Sequence, residues 1–157
     1  MDVTALASAY EGLLTRAEAI GGSTPLGAET RADVEWRLCH IALADRIIAT
    51  AAGEQIEGRA ATVDNRPSMD PVRIAAIIDT TTHAQRVDTV RRTWAELRSV
   101  LESFTPDDAR AQLTLRMHDR NGEYVSDAVL SWRTLVELRA AQHIPGYRDA
   151  LAEALAA

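Results

Sequence analysis

The stretch VEWRLCHIALADRIIATAA (residues 34–52) decides how the rest of the chain is read. It reads as one long helix that Thr30 or Asp33 can cap and Gly53 can end. Roughly 20 residues at 1.5 Å each would span about 30 Å. His40 shares a helical face with Trp36 or Arg37, Ala44, Ile47 and Ala51, a small and apolar face that is core-directed. A histidine pointing into a helical core is either satisfied by one hydrogen bond or used for chemistry. Cys39, one residue earlier, falls about 100° round the helix, which argues against a Cys-His nucleophilic dyad.

Upstream, Val3, Leu6, Tyr10, Leu13, Leu14, Ala17 and Ile20 recur at helical spacing, and GGSTP at 21–25 stops that first helix. Downstream, residues 53–69 read as a loop, with the polar triplet Asp64-Asn65-Arg66 able to overhang the end of the helices. Asp70-Pro71 opens a third helix that runs to about Phe104. The β-branched run Thr80-Thr81-Thr82 predicts a bend or break within it.

The period then changes to two. QLTLRMHDRNGEYVSDAVL (residues 112–130) alternates around Asn121-Gly122, a two-residue hairpin signal. Pairing Arg120 with Glu123 places Arg116 opposite Asp127 and His118 opposite Val125, and directs Leu113, Leu115, Met117, Ala128 and Leu130 at the helices. Ser131 can cap a last helix from Trp132 towards Leu155. The order helix, helix, helix, hairpin, helix predicts an all-α four-helix bundle with a small hairpin between helices 3 and 4, as one domain over residues 1–157.

Within the last helix, AAQHIPGYRDAL (residues 140–151) puts His143 and Tyr147 at i and i+4, on one side. Pro145 removes a hydrogen bond to the Ala141 carbonyl, so the helix either kinks or ends near Gln142 and restarts at Pro145. Of the other histidines, His118 beside the hairpin turn and His83 among polar neighbours read as solvated surface residues.

Composition narrows the function classes. The 157 residues are 46% hydrophobic and 25% charged, ordinary for a globular domain. A net charge of -6 argues against nucleic acid as the partner. All 17 basic residues are arginine, which excludes lysine chemistry and suits a GC-rich genome. One cysteine, no apolar run of spanning length, and acidic Asp2 and Glu11 where a leader would need other residues all predict a cytoplasmic protein away from membranes. P-loop, dinucleotide-binding, Cys-x-x-Cys and Gly-x-Ser-x-Gly motifs are absent.

A first helix, then VEWRLCHIALADRIIATA with one central histidine, then a late helix with a paired i, i+4 position together resemble the DinB-like superfamily. The nearest likeness is to the group related to mycothiol-dependent maleylpyruvate isomerases, common in actinobacteria. The resemblance implies a four-helix bundle, often a homodimer, acting on a small-molecule substrate. It also implies a divalent metal such as zinc or nickel, used to activate a mycothiol-type thiol for transfer or isomerisation. Carried over, the metal ligands would be His40, His143 and Tyr147, with Asp45 or water able to complete the set. Tyr147 stands where the superfamily usually has histidine, and two imidazoles with a phenol make a poorer zinc or nickel site. The expectations are therefore a metal-dependent transferase or isomerase, a metal-free cyclase or isomerase in which His143 is acid or base and Tyr147 orients or donates, and a non-enzymatic binding protein.

Overall fold

The computed structural model describes residues 1–157. Its centre is α2 (Ala28–Ile56), longer at both ends than its caps suggested. Every residue from 38 to 45 is buried, so the helix is enclosed on all sides rather than resting one face on a core. It packs against α4 (His83–Glu102) and, less extensively, against α3 (Pro71–Thr80) and α7 (Ile144–Ala156). The first helix, α1 (Thr4–Ile20), lies against α7 and α4. Leu6, Leu13, Leu38, Ile41, Leu97, Leu101, Trp132 and Leu151 are buried in one shared core, in which Tyr10 stacks on Trp94 with ring centroids 4.1 Å apart.

The predicted third helix is two. Asp70 caps α3 by accepting from the Val72 and Arg73 amides, with Pro71 at the first position. Thr81 is extended, and Thr82 then caps α4 in a reciprocal box with Gln85. The threonine run breaks the helix because one hydroxyl group serves the backbone better as a new cap than as an interior residue. A short α5 (Pro106–Arg110) follows α4.

The predicted loop contains a strand, so the all-α reading holds only in part: the chain is mostly helical with a small three-stranded sheet. β1 (Ala61–Asp64) pairs in parallel with β2 (Gln112–His118), which pairs antiparallel with β3 (Tyr124–Ser131). Four residues are too few to show a period, and β1's partner lies far along the chain. A 3₁₀ turn (Arg66–Ser68) carries the chain from β1 towards α3.

The hairpin expectation is right at Arg116, which faces Asp127, and wrong at the turn. Asp119 N–H donates to the Glu123 carbonyl, so the loop is three residues, with Gly122 in the left-handed region at φ 80°. The Asp119 carboxylate holds it by accepting from the Asn121 and Glu123 amides. His118 thus pairs with Tyr124, and an irregularity after Met117 restores the expected register. Leu113, Leu115 and Ala128 face inward as expected, and no helix is long and apolar enough to cross a membrane.

After Ser131, which caps by accepting from the Thr134 amide, α6 (Trp132–Leu138) leads into a π turn (Arg139–His143) and then α7. The helix neither ends at Gln142 nor restarts at Pro145. The Ile144 N–H reaches back five residues to the Arg139 carbonyl, and the wider turn absorbs the proline that follows.

Candidate functional site

Three polar residues of the last helical arm, Arg139, His143 and Tyr147, face one cavity of about 180 Å³. In a regular α-helix, positions four apart drift by about 40° per step, and eight residues would carry Tyr147 well away from Arg139. The π turn between Arg139 and His143 winds less per residue and holds that drift back. This is the local reason for the disturbed sequence around Pro145. Opposite stand His40, Ala44, Ile47 and Ile48 of α2, and the sheet closes the cavity with Val63, Leu115 and Met117. The three residues singled out in the sequence, His40, His143 and Tyr147, are therefore brought to one place.

His40 is buried and held from two sides. Its Nδ1 lies 2.8 Å from the Ser68 carbonyl, which can only accept, so Nδ1 carries the proton and donates. Its ring stacks on Trp36 at 4.8 Å and meets the Tyr147 ring edge-on at 5.7 Å. Burial pushes the imidazole down to about 4, aided by Arg139, Arg120 and His143 and opposed by the Ser68 hydrogen bond. At neutral pH His40 is thus a neutral ring with a lone pair on Nε2. His143 is more open, yet its pKa too is lowered, by burial of the ring and then by Arg139. Tyr147 is pushed the other way by burial, so its hydroxyl keeps its proton, although Arg139, Arg37 and Arg120 work against that shift.

Arginines dominate the surrounding charge. Arg37 lies over the Tyr147 ring at 5.7 Å, and Arg120 from the hairpin loop lies over Trp36 at 3.7 Å. Asp33 joins the two, accepting from Arg37 Nε at 2.7 Å and from Arg120 Nη2 at 2.8 Å. Beneath the cavity, Asp45 accepts from Arg139 Nη2 at 2.5 Å and from the Tyr10 hydroxyl at 2.5 Å. Sequence reading placed Asp45 only as a spare ligand and gave Arg139 no role. The signals available were an aspartate inside the apolar run IALADRII and the four-residue step from Arg139 to His143.

The residues present fit a divalent metal poorly. No group of three histidine, cysteine or acidic side chains converges anywhere in the molecule. Asp45, the nearest carboxylate, is committed to Arg139 and Tyr10. The third donor would be a phenol whose ionisation burial opposes, under arginines that repel a dication. His40 alone has the preparation of a ligand, a carbonyl on its outer nitrogen.

Two sequence expectations are overturned nearby. His118 is buried: its amide donates to Asn65 Oδ1 at 2.6 Å and its Nδ1 lies 3.3 Å from Asp64, which ties the end of β2 to the chain after β1. The polar triplet therefore fastens the sheet, while Asn65 also lines the cavity. His83 is buried as well, between Glu35 at 2.8 Å and the Ala17 carbonyl at 2.9 Å. Polar sequence neighbours hid it because its partners come from α1 and α2. Cys39 lies apart beside Leu43 and Ile74, its thiol pushed by burial to about 11, which agrees with its exclusion from a dyad.

Comparisons of the chain with protein-family models, with curated proteins and with solved structures find no match in any of the three.

Proposed function

We propose that this chain is a DinB-like small-molecule enzyme, an isomerase that works by acid–base chemistry without a resident metal. One observation carries the reading. His40, on α2, and His143 and Tyr147, on the last helical arm, line one cavity, and there His40 Nε2 is held as a free base by the Ser68 hydrogen bond on its other nitrogen. The DinB-like part rests on the sequence resemblance and on the four long helical arms α1, α2, α4 and α6–α7 around one core. The donor set speaks against the metal of that superfamily.

The chemistry suited to these groups is a proton shift beside a carbonyl. His40 Nε2 takes a proton from carbon, while the Tyr147 hydroxyl donates a hydrogen bond to the carbonyl oxygen as enolate charge develops. The His40 imidazolium returns the proton to a different carbon, so atoms and charge balance. His143, nearer solvent, exchanges protons with water.

Solvent-deuterium exchange into a panel of small enolisable ketones and keto acids, including pyruvate and 2-oxobutyrate, tests this by NMR. Exchange above the buffer rate is expected, insensitive to EDTA. His40→Gln should slow it about 100-fold or more, within the range usual for a general base. Compounds that bind but exchange only at the buffer rate would make the chain a binding protein and overturn the catalytic reading. Activity lost to EDTA and restored by zinc would overturn the metal-free one.

A further inference from the structure

Arg139 stands in the cavity wall with more donor capacity than its neighbours use. The residue is 6% exposed, and its Nη2 alone is engaged, by Asp45 and by the Tyr10 hydroxyl at 2.8 Å. Nε is sealed without a partner, and Nη1 donates to nothing. A guanidinium has five N–H groups, and burying donors unmet is costly. Asp45 Oδ2, on the other side of the pair, has no partner either. Oδ2 and Nε are sealed from any ligand, so Nη1 is the one unmet donor of the pair open to an acceptor, and the protein supplies none.

The rest of the wall defines what would bring that acceptor. Ala44, Ile47, Ile48, Val63, Leu115 and Met117 are apolar, so the body of the ligand is too. A cavity of about 180 Å³ is slightly larger than the roughly 150 Å³ that holds benzene. Arg139 is the one arginine in the lining, which holds no carboxylate to compete for an anion, since Asp45 lies fully buried behind it.

We propose that the cavity takes a small monocarboxylate, with an apolar body of about benzene size packed between α2 and the sheet and its carboxylate on Arg139 Nη1. The inference rests on the small-molecule reading above and adds the substrate class.

Calorimetry with benzoate and its neutral isostere benzamide tests this at pH 7. Benzoate should bind the unmodified chain about 10-fold tighter or more, the loss expected when a charge-assisted hydrogen bond becomes neutral. Arg139→Lys keeps a cation against Asp45 but removes the unengaged nitrogen, and should erase the preference. If that variant does not fold, the ratio in the unmodified chain decides. Equal affinity for both probes overturns the carboxylate and leaves the small-molecule reading standing. Failure of both to bind at millimolar concentration overturns the two together.

Discussion

Glu35 and Asp45 are both buried on α2, and each meets an arginine and a ring from another helix, yet the two clusters are finished differently. Glu35 accepts from His83 Nδ1 at 2.8 Å and from Arg86 Nε at 2.7 Å, with Arg31 at 3.3 Å. His83 gives its second proton to the Ala17 carbonyl, so both nitrogens donate and the ring is an imidazolium, its pKa raised chiefly by Glu35. Arg86 spends Nη1 on the Thr81 carbonyl and hydroxyl, fastening the break between α3 and α4. Asp45 has the Tyr10 hydroxyl and one nitrogen of Arg139, and leaves Oδ2 and Nε unpaired. A completed network holds elements together. An incomplete one beside a cavity is the part of the protein that waits for a ligand.

Removing the charge partner at the completed site is expected to do most damage. Glu35→Ala strands His83 and Arg86 and should cost about 3–5 kcal/mol, lowering Tm by on the order of 10 °C. A loss under about 1 kcal/mol by urea denaturation would erase the distinction between the two clusters. At the cavity, Arg139→Leu alone should also destabilise by about 3 kcal/mol, because Asp45 is left buried and unpaired. The double variant Asp45→Asn with Arg139→Gln should recover most of that loss and still bind no benzoate, separating the pair's structural role from its ligand role.

The two carboxylates also differ in sign with pH. Burial raises Glu35, but hydrogen bonds from His83 and Arg86 outweigh it and hold the carboxyl at about 2. A depressed carboxylate contributes stability above its unfolded pKa of 4.5, and that stability is lost as pH falls towards 2. Asp45 is raised by burial to about 6 against the pull of Arg139, so its contribution is full below 3.8 and is lost as pH rises through about 6. Asp45→Asn should remove that decline, making stability fall less between pH 4 and 6 than in the unmodified chain. A steeper fall in the variant, measured by urea midpoints, would contradict the assignment. The smallest effect is expected at the hairpin. Arg120→Ala removes a half-exposed ion pair with Asp33 and a contact over Trp36, worth about 1 kcal/mol or less.

The helical arms, the core-directed face of His40 and the shared side of His143 and Tyr147 were legible in the sequence because each depends on local periodicity, whereas their meeting was implied only by the family resemblance. Spacing along one helix says which side chains share a face, and that held across the Pro145 region even though the π turn was not foreseen. What escaped notice depends on partners distant in sequence. Val63 finds its strand at Leu115, His83 its carboxylate on α2, and His118 its amide in the triplet at Asp64. The three-residue hairpin loop was hidden by Asn121-Gly122, which fits a two-residue turn equally well until Asp119 is seen holding the loop. Arg139 lies four residues before His143, but its unmet nitrogens are visible only with Asp45 in place.

The central claim is that His40 presents a free, metal-free base to the cavity, and nitrogen-detected NMR of its ring tests that most directly. The account predicts the neutral Nδ1–H tautomer at pH 7 in protein never exposed to chelator, persisting until pH falls to about 4. An Nε2–H tautomer, or an Nε2 shift characteristic of metal coordination that EDTA abolishes, would contradict it.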